Sequence, residues 1–342
     1  MQRSLKILTV SLMGHVHDCH RPDDGNGGSQ GSLLIFERTA NTFGHTVYSE
    51  QRNWHEKTQQ CTPSWHQGAR FIGITPTLVV LMRRCDARFA GKYKQFYPKS
   101  KIVCWIKDDN TVTDGLVGSP AFLDAAFIVS KSAAKKSMRV FGTPPGKLHV
   151  IYNPFRENTD WYDQLRKHAN VNVFHIIATG KPDHKTLRSI MKRLVRADSR
   201  FKVHLCAAKW RRDASSGNIP NAIYHGNIEH TKVLKLLSTC FVQVNPTKSV
   251  ETFGYSFAES NVLGIPVVSN HVRDSTTEEM LSHWNENVIL PNLDVRNFVK
   301  SILNIHHRAV AGNTSRKCQW PLVGHMNASQ FVMQFITTAM TS

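Results

Sequence analysis

The apolar residues of this chain are grouped in short continuous runs, and the segments between the runs have the spacing of helices. Continuous apolar runs are typical of parallel strands that are buried on both faces. In the first half of the chain, strands are predicted at residues 6–13, 71–75, 102–106 and 125–130, with a further strand entered through residues 44–47. Helices are predicted at residues 32–43 and 133–141, and residues 147–152 close this half.

The second half repeats the alternation of strand and helix after a break at residues 153–160, which we interpret as a linker. Strands are predicted at residues 173–178, 202–207, 223–226, 241–245 and 266–269, and helices at residues 161–168, 187–196 and 231–238. Such alternation is typical of doubly wound α/β sheets. We therefore expect two Rossmann-like domains, residues 1–155 and residues 156–342, with the last helix able to pack back on the first domain.

Length and cysteine content agree with two ordinary α/β domains in a reducing compartment. The chain has 342 residues, enough for two such domains. Its seven cysteines are odd in number and form no Cys-x-x-Cys pair, which favours free thiols over a disulfide framework. Residues 1–10 are better interpreted as a first strand than as a signal peptide, and no apolar run is long enough to span a membrane. A soluble, cytoplasmic protein is expected.

The chain is strongly basic, with a formal net charge of +18. Residues 1–155 contain 20 Lys and Arg against 11 Asp and Glu, and the remaining residues contain 23 against 14, so the excess is shared equally. A field of this sign favours polyanions, namely nucleic acid, an anionic membrane surface or nucleotide phosphates. The alternative is a basic nucleotide-binding enzyme that contacts no polymer.

Glu251 and Glu259 are eight residues apart, which predicts that both lie on nearly the same face of one helix. Gly254 between them would let backbone N–H groups approach a ligand at the start of that helix, where anions are favoured. One carboxylate would then reach sugar hydroxyls beside a bound phosphate, and the other a ribose diol. The spacing alone equally fits two solvated surface glutamates.

The residues around this pair carry a family resemblance. Asn245-Pro246-Thr247 precedes Glu251, and Gly264-Ile265-Pro266-Val267-Val268-Ser269 follows Glu259. In this order they resemble the E-x7-E signature of the retaining GT-B glycosyltransferases of family 4. Further similarities extend over most of the chain, although Pro154 stands where the family usually has glycine. The resemblance implies the GT-B fold, with two Rossmann-like domains facing across a cleft, and transfer of a sugar from a nucleotide-sugar donor with retention of configuration.

The same resemblance implies roles for the residues of the signature. Glu251 matches the position that contacts the hydroxyls of the donor sugar, and Glu259 matches the residue that binds the ribose diol. Phe253, Gly254 and Tyr255 match the turn whose N–H groups face the diphosphate. For Glu259 the alternative is a helix carboxylate that is neutralised by a local lysine.

Cations for the diphosphate are expected in the loop after the first strand of the second domain. The family has a Gly-Arg…Lys-Gly pattern there, which Lys181 and Lys185 match with a shorter spacing and with Thr186 in place of glycine. Lysine supplies a point charge but no bidentate fork, and the alternative is a pair of solvated lysines. Gly27 and Gly28 match the glycine loop on the donor side of the first domain.

Three candidate features lie outside these motifs. Lys107 stands where relatives often have a donor-contacting histidine, and Asp108 matches its acidic neighbour; Asp108 and Asp109 also have the chemistry of metal ligands, but no metal is expected. A loosely zinc-like cluster has no second ligand group: His15, His17, Cys19 and His20. Basic and aromatic residues interleave over residues 88–101, and basic residues recur over 131–139, which fits an anionic acceptor or an amphipathic helix.

Together these observations predict a metal-independent, cofactor-independent hexosyl- or pentosyltransferase that uses a UDP- or GDP-sugar. The expected acceptor is a glycan or glycoconjugate. The resemblance implies that the leaving phosphate assists displacement on the front face of the sugar. Two alternatives remain open. The acceptor is instead a DNA base, which the net charge favours, or the chain is a non-catalytic binding protein of the same fold, which Lys107 and the altered Gly-Lys loop favour.

Overall fold

The chain forms two compact α/β units in the computed structural model. The structure describes the following residues: 4–13, 28–55, 60–61, 75–82, 90–106, 120–141, 145–155, 159–180, 182–206, 218–226, 228–251, 253–313 and 327–342. Within this part of the chain, the first unit contains residues up to 155 together with residues 327–342, and the second contains residues 159–313. The chain thus returns to the first unit after completing the second.

The strands form two sheets. Those of the first unit are β1 Lys6–Met13, β2 Thr46–His55, β3 Gln60–Cys61, β4 Leu78–Met82, β5 Lys101–Ile106, β6 Ala125–Ile128 and β7 Leu148–Val150. Those of the second are β8 Asn172–Thr179, β9 Lys202–Cys206, β10 Ala222–Tyr224, β11 Cys240–Asn245, β12 Val267–Asn270 and β13 Val288–Leu290. All neighbouring strands pair in parallel except β2 and β3. The predicted α/β class with two doubly wound sheets is confirmed.

The described residues contain ten helices. They are α1 Gly28–Thr42, α2 Ala90–Phe96, α3 Lys131–Phe141, α4 Thr159–His168, α5 His184–Ala197, α6 His230–Thr239, α7 Tyr255–Val262, α8 Thr277–Leu281, α9 Val295–Val310 and α10 Ala328–Thr341. Short 3-10 turns occupy Pro120–Phe122 and Pro145–Lys147. The strands β4 and β13 and the helices α8 and α9 are elements that the apolar pattern did not predict. Residues 71–74 of one predicted strand lie outside the described part of the chain.

An aromatic cluster joins the last helix to the first unit. The sheet of that unit has the order β3-β2-β1-β4-β5-β6-β7. Phe335 of α10 lies with its ring centroid 4.2 Å from that of Phe127 and 5.0 Å from that of Phe36. Phe331, one turn earlier, lies 5.2 Å from Trp105. These five rings are fully buried, so α10 supplies part of the core of the first unit.

The sheet of the second unit has the order β10-β9-β8-β11-β12-β13. Its core includes Ile176, Val242 and Val268 from the strands and Leu187 and Phe298 from the helices packed on them. From β8 the strands β9 and β10 are added on one side of the sheet, and from β11 the strands β12 and β13 are added on the other, so the strand order switches between the neighbours β8 and β11. In open parallel sheets, ligands bind outside the carboxyl ends of the strands at such a switch point. The loops after β8 and β11 are therefore where a site is expected.

Candidate functional site

The loops after β8 and β11 are joined directly. The N–H of Asp183 donates a hydrogen bond to the carbonyl oxygen of Pro246 at 2.5 Å. Lys248 Nζ forms an ion pair with Asp183 Oδ1 at 3.1 Å. The loop that precedes α5 and Lys185 is thereby held against the loop that leads into Glu251.

Asp183 also caps α5. Its carboxylate accepts hydrogen bonds from the Thr186 backbone N–H at 3.0 Å and from the Thr186 hydroxyl at 2.6 Å. Burial opposes the ionisation of Asp183, but the hydrogen bonds from Thr186 and Lys248 outweigh it and hold the pKa of this carboxyl below its ordinary value. Lys185 is exposed in the first turn of α5. The start of α5 therefore presents an exposed cation next to a loop that Asp183 holds in place.

Glu251 lies before the start of α7, and the prediction that it shares a helix face with Glu259 is wrong. The helix begins at Tyr255, because Gly254 has a φ of +75° and interrupts helical geometry. The N–H of Glu251 donates to Ser275 Oγ at 3.2 Å, and its carbonyl accepts from the N–H of Thr276 at 2.9 Å. The backbone of Glu251 is thus anchored to the turn before α8.

Gly254 is required by both its conformation and its surroundings. A φ in the left-handed region is costly for residues with a side chain. A Cβ at this position would lie 2.8 Å from Cδ2 of Phe257 and 3.4 Å from Cγ of Glu251. The N–H of Gly254 donates to Glu251 Oε1 at 3.1 Å, so this N–H is hydrogen-bonded to the first carboxylate of the signature. Phe253 is buried against Tyr255, with ring centroids 4.7 Å apart.

Glu259 is a buried carboxylate on α7. It is only 7% exposed, and its Oε1 lies 2.7 Å from Nε2 of His230, the first residue of α6. The partner is therefore a histidine on another helix, where the alternative interpretation of the sequence had a local lysine. The other ring nitrogen of His230, Nδ1, is buried and has no hydrogen-bond partner within the part of the chain that the structure describes.

A polar framework fixes α7 on the sheet. The Ser260 hydroxyl donates to the side-chain oxygen of Gln243 on β11, and the Gln243 amide donates to Thr179 Oγ1 on β8 at 3.1 Å. Asn261 Nδ2 donates to the carbonyl of Met280 at 3.0 Å, and its Oδ1 accepts from Asn287 Nδ2 at 2.9 Å. Because buried polar groups without partners are costly, this network specifies one position for the helix.

The structure brings only some of the predicted site residues together. Glu251, Phe253, Gly254, Tyr255, Glu259 and Lys185 all lie on elements that follow β8 and β11. Gly28 begins α1 in the first unit. Four predicted site residues lie outside the described part of the chain: Gly27, Lys107, Asp108 and Lys181.

Sequence reasoning missed His230, Lys248 and Ser275. Lys248 stands three residues before Glu251, so a cation inside the signature was visible in the sequence. His230 and Ser275 are 29 and 24 residues from the glutamates they contact. No local spacing pattern reports contacts between such distant positions, which the fold alone creates.

The described residues contain neither a metal-binding cluster nor a membrane-spanning helix. Within the described residues, no group of three or more His, Cys, Asp or Glu side chains is arranged to hold a metal ion. Asp108, Asp109 and the cluster of residues 15–20 lie outside those residues. None of the described helices combines the length and apolar character needed to cross a membrane.

Solved glycosyltransferase structures match this chain over its whole length. The Anabaena protein Alr3699/HepE in complex with UDP and glucose has a TM-score of 0.71 and 13% identity, covering 99% of this chain and 100% of that one. The lipopolysaccharide outer core galactosyltransferase WaaB has a TM-score of 0.64 and 14% identity, covering 98% and 99%. An α-glucosyltransferase in complex with UDP-glucose and DNA containing an abasic site has a TM-score of 0.63 and 11% identity, covering 99% and 100%.

The chain has the GT-B fold. No family model matches it, and no curated protein matches it significantly. At identities of 11–14%, the likeness to these structures establishes architecture. The chemistry must be argued from the residues of this chain.

Proposed function

We propose that this protein is a retaining glycosyltransferase that moves a hexosyl or pentosyl group from a UDP-sugar to a glycan or glycoconjugate. The observation that carries the assignment is the pair of anchored glutamates, Glu251 and Glu259, beside the carboxyl ends of β8 and β11. The fold supports it, because HepE shares the architecture and its structures contain UDP and UDP-glucose. A GDP-sugar is the second choice of donor.

Each part of the donor has a proposed partner. Glu251 binds the hydroxyls of the transferred sugar, and Glu259 binds the ribose diol. Lys185 and Lys181 neutralise the diphosphate, together with the N-terminal end of α7 that begins at Tyr255. Since the N–H of Gly254 is donated to Glu251, the role of Gly254 is to hold that carboxylate rather than to bind phosphate.

The reaction follows from these positions without a protein nucleophile. The acceptor oxygen attacks C1 of the sugar on the face from which the diphosphate departs, so that configuration is retained. The C1–O bond to the diphosphate breaks, and the acceptor proton passes to the departing phosphate oxygen. Fixed cations and helix dipoles stabilise the charge that develops on that phosphate, and no metal or cofactor is required. Contact with the donor is also proposed for Lys107, Asp108, Gly27 and Gly28, on the basis of the family resemblance alone.

A donor panel tests this function. UDP, GDP, ADP and their glucose conjugates are added singly, and the melting temperature is recorded, because a ligand that binds the folded state raises it. We expect the largest shift with the uridine compounds and slow hydrolysis of the bound UDP-sugar. Binding without hydrolysis or transfer would favour the non-catalytic alternative, and no shift with any nucleotide would contradict the assignment.

A DNA acceptor is the second candidate. It is favoured by the likeness to the α-glucosyltransferase that was solved with DNA, and by the basic helix α3. Lys131, Lys135 and Arg139 are exposed on α3. If DNA is the acceptor, duplex binding weakens steeply with salt and is reduced by charge reversal at Lys135 and Arg139, but not by charge reversal at Lys192 on α5. Absence of duplex binding at low salt removes this candidate.

A further inference from the structure

Glu259 differs from its neighbours on α7 in the element that supplies the hydrogen-bond partner of its side chain. Glu259, Ser260 and Asn261 are three consecutive buried polar residues. Ser260 and Asn261 bond to β11 and to the segment around α8, and these contacts fix the helix. The carboxylate of Glu259 instead bonds to the imidazole ring of His230 on α6. This helix contributes no residue to the polar framework that fixes α7.

We infer that His230 is a positioning residue, which fixes the Glu259 carboxylate for the ribose diol and thereby sets a preference for ribonucleotide over 2′-deoxyribonucleotide donors. This inference rests on the function proposed above. It adds a residue for which neither the signature nor any sequence spacing gives a role, and it assigns that residue a measurable effect on ligand choice.

The geometry supports a positioning role. A glutamate side chain has three rotatable bonds, and ordering them when a ligand binds costs affinity. His230 Nε2, at 2.7 Å from Oε1, holds the carboxylate in one orientation before the ligand arrives. The two adjacent hydroxyls of a ribose can then hydrogen-bond to a carboxylate that is already oriented for them. A 2′-deoxyribose has only one of these hydroxyls, so its binding gains much less affinity from the oriented carboxylate.

The second ring nitrogen of His230 argues against a purely structural pair. With a proton on Nε2, the neutral ring has an acceptor at Nδ1. That atom is buried, and no donor reaches it in the described part of the chain. Buried polar atoms in a structural network are almost always satisfied. Within the described residues, the contact with Glu259 is thus the one hydrogen bond that the ring of His230 makes.

The test measures how well two ligands bind to three proteins. Calorimetry compares UDP with 2′-deoxy-UDP on the wild type, on His230→Ala and on His230→Gln, whose amide N–H can donate to the same carboxylate. We expect the wild type to prefer UDP by roughly tenfold or more, as for a hydrogen bond to a charged group. In His230→Ala this preference falls to about threefold or less, mainly through weaker UDP binding. In His230→Gln we expect most of the preference for UDP over 2′-deoxy-UDP to be restored.

His271→Ala is the matched control. His271 Nδ1 lies 2.9 Å from Glu278 Oε1, so this variant removes a histidine–glutamate pair of similar length from an exposed position in the same unit. It should leave the preference for UDP unchanged. Should the donor panel select guanosine, the same comparison is made with GDP and 2′-deoxy-GDP.

The outcomes separate the two proposals. If the wild type binds no nucleoside diphosphate, the proposed function is wrong, and the inference is wrong with it. If the wild type binds UDP but shows no preference over the deoxy form, or if His230→Ala keeps the preference while both ligands weaken equally, His230 is only structural and the function stands. If His230→Ala does not fold, the His230→Gln variant decides, since a preference that it fails to retain in a folded protein contradicts the inference.

Discussion

Glu251 Oε1 accepts a hydrogen bond from the N–H of Gly254 at 3.1 Å, so the first signature glutamate closes the turn that leads into α7. The same side chain is proposed to bind the donor sugar. Its two oxygens therefore have separable tasks, because the contact with Gly254 needs only an acceptor, whereas stabilisation of the reacting sugar benefits from negative charge.

The pair of variants Glu251→Gln and Glu251→Ala separates these tasks. The glutamine keeps an oxygen for Gly254, so its stability should be close to that of the wild type. Both variants should lose transfer by about 30- to 1000-fold, which corresponds to roughly 2–4 kcal/mol for a charged hydrogen bond made in the transition state. The measurement is the rate of sugar transfer alongside the melting temperature. Wild-type turnover in folded Glu251→Gln would contradict the role of the charge.

Gly254→Ala should be strongly destabilising. The left-handed conformation costs a side chain about 1–2 kcal/mol, and the contact with Phe257 adds overpacking of about 1–3 kcal/mol. Gly312→Ala is the control, because Gly312 has a φ of +70° but no atom within 4 Å of its ideal Cβ. Urea titration of both variants measures the two contributions. Equal losses of stability would mean that Phe257 moves aside without cost.

Lys185→Ala and Glu259→Ala should affect different parts of the nucleotide. Lys185→Ala should weaken binding of the nucleoside diphosphate and leave the bare nucleoside unaffected, since it removes a cation proposed for the phosphates. Glu259→Ala should weaken both ligands. Lys192→Ala, which removes an exposed lysine further along α5, is the control and should change neither. Calorimetry with both ligands gives the answer, and an equal loss for both ligands in both variants would mean that the placement is wrong.

A chain of three histidines makes the second unit sensitive to acid. His204 Nε2 lies 3.1 Å from Nδ1 of His175, and His204 Nδ1 lies 2.9 Å from Nε2 of His225. Burial, and then the neighbouring His175, His225 and Lys202, lower the pKa of His204 to about 4. Burial also lowers the pKa of His175 and of His225. All three rings are therefore neutral in the folded protein near pH 7.

The sign of the pH dependence follows from these lowered values. An unfolded histidine has a pKa of about 6.5, so between that pH and about 4 the unfolded chain binds more protons at His204 than the folded protein does. The stability that depends on neutral His204 is full above pH 6.5 and is lost as the pH falls towards 4. At pH 5 we therefore expect the protein to be less stable than at pH 7 because of this residue.

Urea unfolding at pH 7 and pH 5 checks this expectation. His204→Gln removes the titrating group and should reduce the difference in stability between the two pH values, whatever its effect at pH 7. His271→Gln, at an exposed histidine, should leave the difference as it is in the wild type. An unchanged difference in His204→Gln would show that other groups control the acid sensitivity.

Transfer should survive chelation. The diphosphate is proposed to be neutralised by Lys185, Lys181 and the N-terminal end of α7, without a divalent ion. The measurement is the transfer rate before and after EDTA, with manganese and magnesium added back. Complete loss that either ion restores would contradict this mechanism and would direct attention to Asp108 and Asp109.

The strands of the fold were predictable because buried parallel strands are continuous apolar runs. Residues 6–13 and 102–106 are such runs, and they correspond to β1 and β5. The strand β4 was missed because Pro76 divides a long apolar stretch, and the prediction took the part before the proline whereas Leu78–Met82 follows it. A pattern of apolar residues does not report which side of a proline pairs with its neighbours.

The local geometry of the candidate site was only partly predictable. A spacing of eight suggested one helix for both glutamates, yet Gly254 at a φ of +75° places Glu251 outside it. A glycine in a sequence is compatible with either conformation, so the sequence did not decide between them. The contact of Glu259 with His230 depends on how α6 and α7 pack, which is a property of the tertiary structure.

The position of α10 has a consequence for the order in which the protein is made. Phe331 and Phe335 complete the aromatic cluster around Trp105 and Phe127, but they are translated only after the whole second unit. Domains usually fold in turn as they leave the ribosome. Here the unit that emerges first lacks the two α10 rings of its aromatic core until the last helix has been synthesised, so it is the last to be completed.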